Sequence, residues 1–176
     1  MIEKLRQNYR LSNLLARLLF VATVTFALFW KCLPVAGVVS DIGGQTIPEN
    51  LIVPSCVIAS LLVAVAVHFL VPLACNLFLN VSRIHCVPAA EYVLLAFVCC
   101  SAGFLLRGLF ALLAYFVPNV SNWVNGLAPF VLTLASGALF YKITAKMYFN
   151  DVTVVPYFKN FSVALIALAV VLGVIL

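Results

Sequence analysis

The sequence predicts an all-α integral membrane protein: a bundle of five transmembrane helices with a cytoplasmic N-terminus and its C-terminus on the outside. Three observations carry this. Of 176 residues, 66% are hydrophobic and only 9% charged, far too little polar surface to cover a water-soluble globule. The apolar residues gather into five stretches that reach or approach the ~20 residues a helix needs to cross ~30 Å of hydrocarbon. The lysines and arginines fall almost entirely on alternate connections, the pattern that keeps basic flanks in the cytoplasm.

The first stretch runs from about Leu14 to Val39, preceded by Lys4, Arg6 and Arg10 and entered by Arg17. A basic start before an apolar run also describes a secretory signal. Here the run is longer than an h-region, Lys31 sits near its end and no small-x-small site follows, so the segment is expected to be retained. Ile2, Leu5 and Tyr9 share a helical face among basic residues. The basic cytoplasmic segment 1–13 therefore reads either as a short helix on the membrane surface or as a frayed tail supplying topogenic charge.

Gly43-Gly44 and Pro48 separate this stretch from the second, Leu51 to Leu79. Asn80 to Arg83 forms the turn before the third, Val87 to Val117, and Pro118-Asn119 the turn before the fourth, Val124 to Tyr141. Asn150-Asp151 and Pro156 precede the fifth, Phe158 to Leu176. Glycine, proline and asparagine end helices at such points. Thirty-one helical residues in the third stretch would extend about 46 Å, so it must tilt, bend or project.

Arg83, Lys142, Lys146 and Lys159 then share a side with the basic N-terminus, while the opposite connections carry Asp41 and Glu49 or, at Pro118 to Trp123, no charge. Five crossings put the chain's ends on opposite sides, so charge pattern and span count agree. The connections are too short for a soluble domain, which needs about 50 residues, and residues 1–176 read as a single membrane domain. The net charge of +5 flanks spans, where it meets anionic headgroups. The lipid bilayer, other integral membrane proteins or a second copy are therefore the expected partners, and nucleic acid is not.

Ionisable groups at membrane depth cost several kcal/mol unless they snorkel or find a partner. Arg17 and Lys142 lie near the inner ends of their spans and can snorkel. Arg107 lies on a seam of small residues: Ala96, Cys99 or Cys100, Gly103, Ala111 and Ala114. Such a seam lets another helix approach closely. Its expected partners are Asp41 and Glu49, as an orientation lock, with an anion or lipid phosphate as the functional alternative. Lys31 shares those carboxylates if the first helix continues beyond Phe29-Trp30. Glu91 reads as part of a boundary cluster with Arg83 and His85.

His68 stands four residues before Pro72, which cannot supply the hydrogen bond that the His68 carbonyl would accept, so a kink is expected there. With Asn76, these residues mark a candidate polar site. A neighbouring hydroxyl or water satisfying the imidazole is the simpler reading. Haem would need a second well-placed ligand, and His85 falls in a loop.

Cys32, Cys56, Cys75, Cys86, Cys99 and Cys100 include no C-x-x-C pair, and buried free thiols are the default. Cys32 and Cys56 could meet at the outer face. Ala169 and Gly173 form a small-xxx-small pair, and of the N-x-S sequons at Asn80, Asn119 and Asn160 only Asn119 is on the predicted outer face, too near the membrane for glycosylation to be expected. No catalytic, metal or cofactor signature emerges, and the carboxylates fall on mismatched sides for intramembrane catalysis. The expected function is a non-enzymatic multi-pass subunit or scaffold acting through helix contacts in a larger membrane complex. The alternative is a small-solute, ion or lipid transport component with a site near the kinked second span.

Overall fold

The computed structural model of the chain describes residues 9–42, 49–84, 87–117, 121–149 and 151–175, with the backbone alone at 9, 37–42, 49, 121–126, 151–154 and 168–175. The described residues form five helices and no strand: α1 (Tyr9–Ile42), α2 (Glu49–Val81), α3 (Ala89–Phe116), α4 (Ser121–Tyr148) and α5 (Asp151–Ile175). Four contain segments long and apolar enough to cross a membrane, at Arg10–Ala36, Asn50–Val81, Ala89–Phe116 and Leu127–Tyr148. An all-helical chain of this kind fits a multi-pass integral membrane protein.

Four of the helices outrun their apolar stretches, while α3, with 28 residues, falls just inside the 31-residue stretch expected for it. In a bilayer the backbone must satisfy its own hydrogen bonds, and helix is the form that does so within one segment. Tyr9 to Asn13 thus continue directly into α1, while residues 1–8 of the expected basic segment lie outside the described residues. Asp41 lies in the last turn of α1 and Glu49 opens α2, so both acids expected in a connection stand on helix ends, and 43–48 lie outside the described residues. Pro156 lies inside α5 and does not precede it; so near the start, its missing N–H frees only a first-turn carbonyl. Excess length is general: α1 and α2, with 34 and 33 residues, are longer than the 28-residue α3.

The turn expected at Asn80 to Arg83 caps α2. Arg83 adopts φ 52°, its N–H donates to the Asn80 carbonyl at 3.1 Å, and Ile84 N–H donates to the Leu79 carbonyl at 3.0 Å. These two bonds close a Schellman motif with a left-handed residue just past the helix.

The central element is α3, which packs on α1, α2 and α4; α1 also packs on α2, and α5 on α4. Two clusters fill the contacts. The first joins α1, α2 and α3 around the fully buried rings of Phe20 and Phe97, with Val24 and Ala64; the two rings meet edge to face at 5.1 Å. The second joins Leu79, Tyr92, Phe140 and Tyr157 from α2 to α5.

Small residues set the spacing. On α3, Gly103 faces Ser136, whose Cβ would stand 3.1 Å from any added Cβ, while a Cβ on Gly108 would overlap the Phe26 ring of α1. A second small seam, Cys56, Ser60 and Ala64, is buried on α2, and Gly137 brings Leu165 of α5 onto α4. Gly108→Val should therefore push α1 and α3 apart and cost about 1–3 kcal/mol, the usual range for overpacking. A thermal melt in detergent should show the loss, and an unchanged midpoint would refute the close α1–α3 approach.

Candidate functional site

Arg107 projects from α3 toward α4. Its Nη2 donates to the Pro129 carbonyl at 2.6 Å and to the Thr133 hydroxyl, which itself donates to the Pro129 carbonyl at 2.7 Å. Its guanidinium carbon stands 5.2 Å from the centre of the Phe104 ring. The expected partners were acids; the observed ones are a carbonyl and a hydroxyl of α4. The side chains of Asp41 and Glu49 lie outside the described residues. A guanidinium has five N–H donors, and Nε and Nη1 of Arg107 have no hydrogen-bond partner among the described residues. Lys31 of α1 lies close enough to Arg107 for the two positive charges to repel, because α1 continues through Lys31.

Arg107 stands at one end of a partly open cavity of about 310 Å³, within the size range of small-molecule sites. Arg107, Thr133 and Ser136 form its polar end, next to Gly103 and Phe104. The body is lined by Cys75 and Phe78 of α2, Ala96, Cys99 and Cys100 of α3, Gly137 and Phe140 of α4, and Phe161, Ala164 and Leu165 of α5. Tyr92 lies at the far end. The lining positions on α3, from Tyr92 to Arg107, cover roughly 22 Å of helix axis. The space is thus elongated, apolar along its length and cationic at one end. Helices α2 and α5 both line it and do not pack backbone to backbone among the described residues.

Aromatic rings close the end opposite Arg107. Phe78 touches Tyr157 and Phe161 with centroids at 6.1 and 6.0 Å, and Tyr92 meets Phe140 edge to face at 4.8 Å. The Tyr157 hydroxyl lies 2.7 Å from the buried Thr144 hydroxyl and 3.5 Å from the Tyr92 hydroxyl. At the same end the Tyr148 hydroxyl donates to the Glu91 carboxylate, where a cluster with Arg83 and His85 was expected; His85 lies outside the described residues.

His68 belongs to a different place. Its ring stacks on Phe97 at 5.1 Å and 17°, and Nε2 lies 3.3 Å from Arg17 Nη1. Arg17 also donates to the Asn13 side chain at 3.0 Å and sits over the Phe97 ring at 5.2 Å. The guanidinium can only donate, so Nε2 accepts and Nδ1 carries the proton; buried Nδ1 has no partner among the described residues. Arg17 therefore crosses to α2, because the imidazole and the Phe97 face satisfy its charge within the bundle. Lys142, by contrast, is exposed.

The predicted residues thus divide. Gly103 and Arg107 meet at the cavity, His68 pairs with α1, Asn76 is exposed on α2, and the helix runs unbroken through Pro72. Cys32, Cys56, Cys75, Cys99 and Cys100 are free thiols. Cys86 and Asn119 lie outside the described residues, and Ala169 and Gly173 are described by their backbone alone. Among the described residues no histidine, cysteine and carboxylate group is clustered for a metal. Comparisons of the chain with family models, with curated proteins and with solved structures find no match. The functional reading therefore rests on the residues themselves.

Sequence reasoning missed Thr133 as the partner of Arg107, although the signal was available. Counting equal distances from the Pro118-Asn119 turn places Arg107 level with residues near 130 of an antiparallel neighbour. Hydrogen bonds to a charged group contribute about 1.5–3 kcal/mol. Thr133→Val should lower stability by about that amount. Combined with Arg107→Met it should add less than its full separate effect, by 0.5 kcal/mol or more, the scale for contacting residues. Full additivity in chemical or thermal unfolding would remove this pair as the α3–α4 tie.

Proposed function

We propose that the chain is a non-enzymatic membrane protein of five spans that holds a lipid in the cavity of its helix bundle. The observation that carries the reading is the form of that cavity: long, apolar, partly open, lined by α2 and α5 helices that do not pack on each other, and ended by Arg107. In a bilayer, a gap between helices forfeits the dispersion contacts of its lining, and an acyl chain entering from the side restores them. A hydrated solute gains less there, since the cavity body offers few polar groups.

The orientation follows the charge pattern, with the N-terminus cytoplasmic and the C-terminus outside, and α5 completes the fifth crossing. Contacts with other membrane proteins or a second copy form a second, compatible reading. It is supported by Asn76, exposed on α2 beside the exposed Leu73 and Leu77; a polar side chain on a lipid-facing surface favours cover by another helix.

Single-cysteine labelling tests the orientation. On a background without native cysteines, Ser121→Cys should react from outside and Asp151→Cys from inside; reversed access would overturn it. Native mass spectrometry of the full chain in mild detergent tests the function. The wild type should retain a lipid-sized adduct, and Ala164→Trp, which fills the cavity from its exposed α5 side, should lose it while keeping its helical circular dichroism. A wild type free of lipid, with stoichiometric protein partners, would replace the lipid reading with the subunit one.

A further inference from the structure

The reading above leaves the ligand's headgroup open, and the polar end of the cavity addresses it. Resting on that lipid-binding reading, we propose that the site selects an anionic amphiphile, whose carboxylate or phosphate meets Arg107 while its acyl chain lies along the cavity toward Tyr92. The argument begins with charge. Among the described residues Arg107 has no carboxylate beside it, and its contacts, the Pro129 carbonyl and Thr133 hydroxyl, are neutral. They orient the guanidinium without cancelling its charge. A cation placed in hydrocarbon on these terms costs several kcal/mol, and an anion delivered with the lipid offsets that cost.

Geometry agrees. Nη2 is held by α4, while Nε and Nη1 keep hydrogens without described partners, and Arg107 itself lines the cavity. Ser136, also lining this end, presents a hydroxyl already turned to the Thr133 carbonyl at 3.1 Å, so it competes little for the ligand. The aromatic end, at Tyr92 and Phe140, offers buried rings and hydroxyls already engaged with one another or with Thr144. It therefore suits the chain terminus and not the head.

Charge alone can be varied in the probe. The full-length protein, stripped of lipid in nonionic detergent, would be titrated with oleate, methyl oleate and dioleoylphosphatidic acid, and binding read by native mass spectrometry and tryptophan fluorescence. Oleate should bind about tenfold or more tightly than methyl oleate, since one charge-assisted hydrogen bond is worth at least that ratio. Arg107→Gln should abolish the preference while leaving methyl oleate binding in place, and Arg107→Lys should keep part of it. The paired Asp41→Asn and Glu49→Gln changes should leave it intact; if they instead create a preference absent from the wild type, those acids neutralise Arg107 and the proposal falls.

Equal binding of oleate and methyl oleate by the wild type would refute the headgroup assignment while the lipid site stands. Failure to bind any of the three would refute the lipid site itself. The wild-type comparison needs no variant to fold. Adduct masses from the native membrane then separate a free fatty acid from a phospholipid, and either would support the anionic class; a neutral diglyceride or sterol as the retained species would overturn it.

Discussion

Close approach of helix backbones is the constraint from which the arrangement follows. Lipid tails are as apolar as leucine, so helices in a bilayer gain nothing by hiding apolar surface from one another; packing and interhelical hydrogen bonds must hold them. The chain meets this with small residues at the contacts. Gly108 receives Phe26, Gly103 receives Ser136, and Gly137 receives Leu165, while Cys56, Ser60 and Ala64 form a buried strip on α2. With small residues setting α1 and α4 against α3, the large rings of Phe20 and Phe97 can interlock at 5.1 Å and bury completely.

The two intramembrane arginines show two solutions to one electrostatic problem. Arg17 is accommodated within the bundle: Asn13 and His68 accept its hydrogens and the Phe97 face takes part of its charge. Aromatic faces attract cations more strongly when water is excluded. That arrangement joins α1 to α2 and sits on the ring that centres the core, so it reads as structure. Arg107 is tied on one side to α4 and open to a cavity on the other. Similar residue types, differing in what surrounds them, divide into a fastener and a candidate binding group.

The all-helical class and the order of the helices were legible because hydropathy encodes them directly, and the α3 seam was legible because glycine and alanine at spacings of three and four are informative on an apolar helix. Boundaries extended past expected ones at Pro156, read as a turn residue, and at Asp41 and Glu49, read as connection residues, since helix is the backbone's best state even at the membrane edge. Faces were less readable. These helices are apolar nearly all round, so periodicity has little amplitude, and the α2 strip at Cys56, Ser60 and Ala64 escaped notice although its four-residue spacing was in plain view. Arg107 was recognised as needing a partner, but the hairpin neighbour that register alone places beside it was overlooked, and the pairing expected with Asp41 and Glu49 lies outside the described side chains. The cavity was not legible at all, because a void belongs to four helices together and to no local pattern.

That void is a consequence of how the small residues are distributed. They draw α3 onto α1, α2 and α4, and α5 onto α4, but no corresponding seam is seen joining α2 to α5 among the described residues. Those two helices meet instead through the rings of Phe78, Tyr157 and Phe161, at the end of the cavity opposite Arg107. The bundle is consequently a ring with one edge missing. In water such a defect would collapse or fill with solvent; in hydrocarbon the nearest filler is an acyl chain, and it lies alongside the opening. Once a chain occupies the gap, its headgroup needs somewhere to go, and the only strongly polar end of the cavity described here is the one that Arg107 occupies. On the proposed reading, the packing asymmetry is what admits a lipid, and the arginine is what selects it.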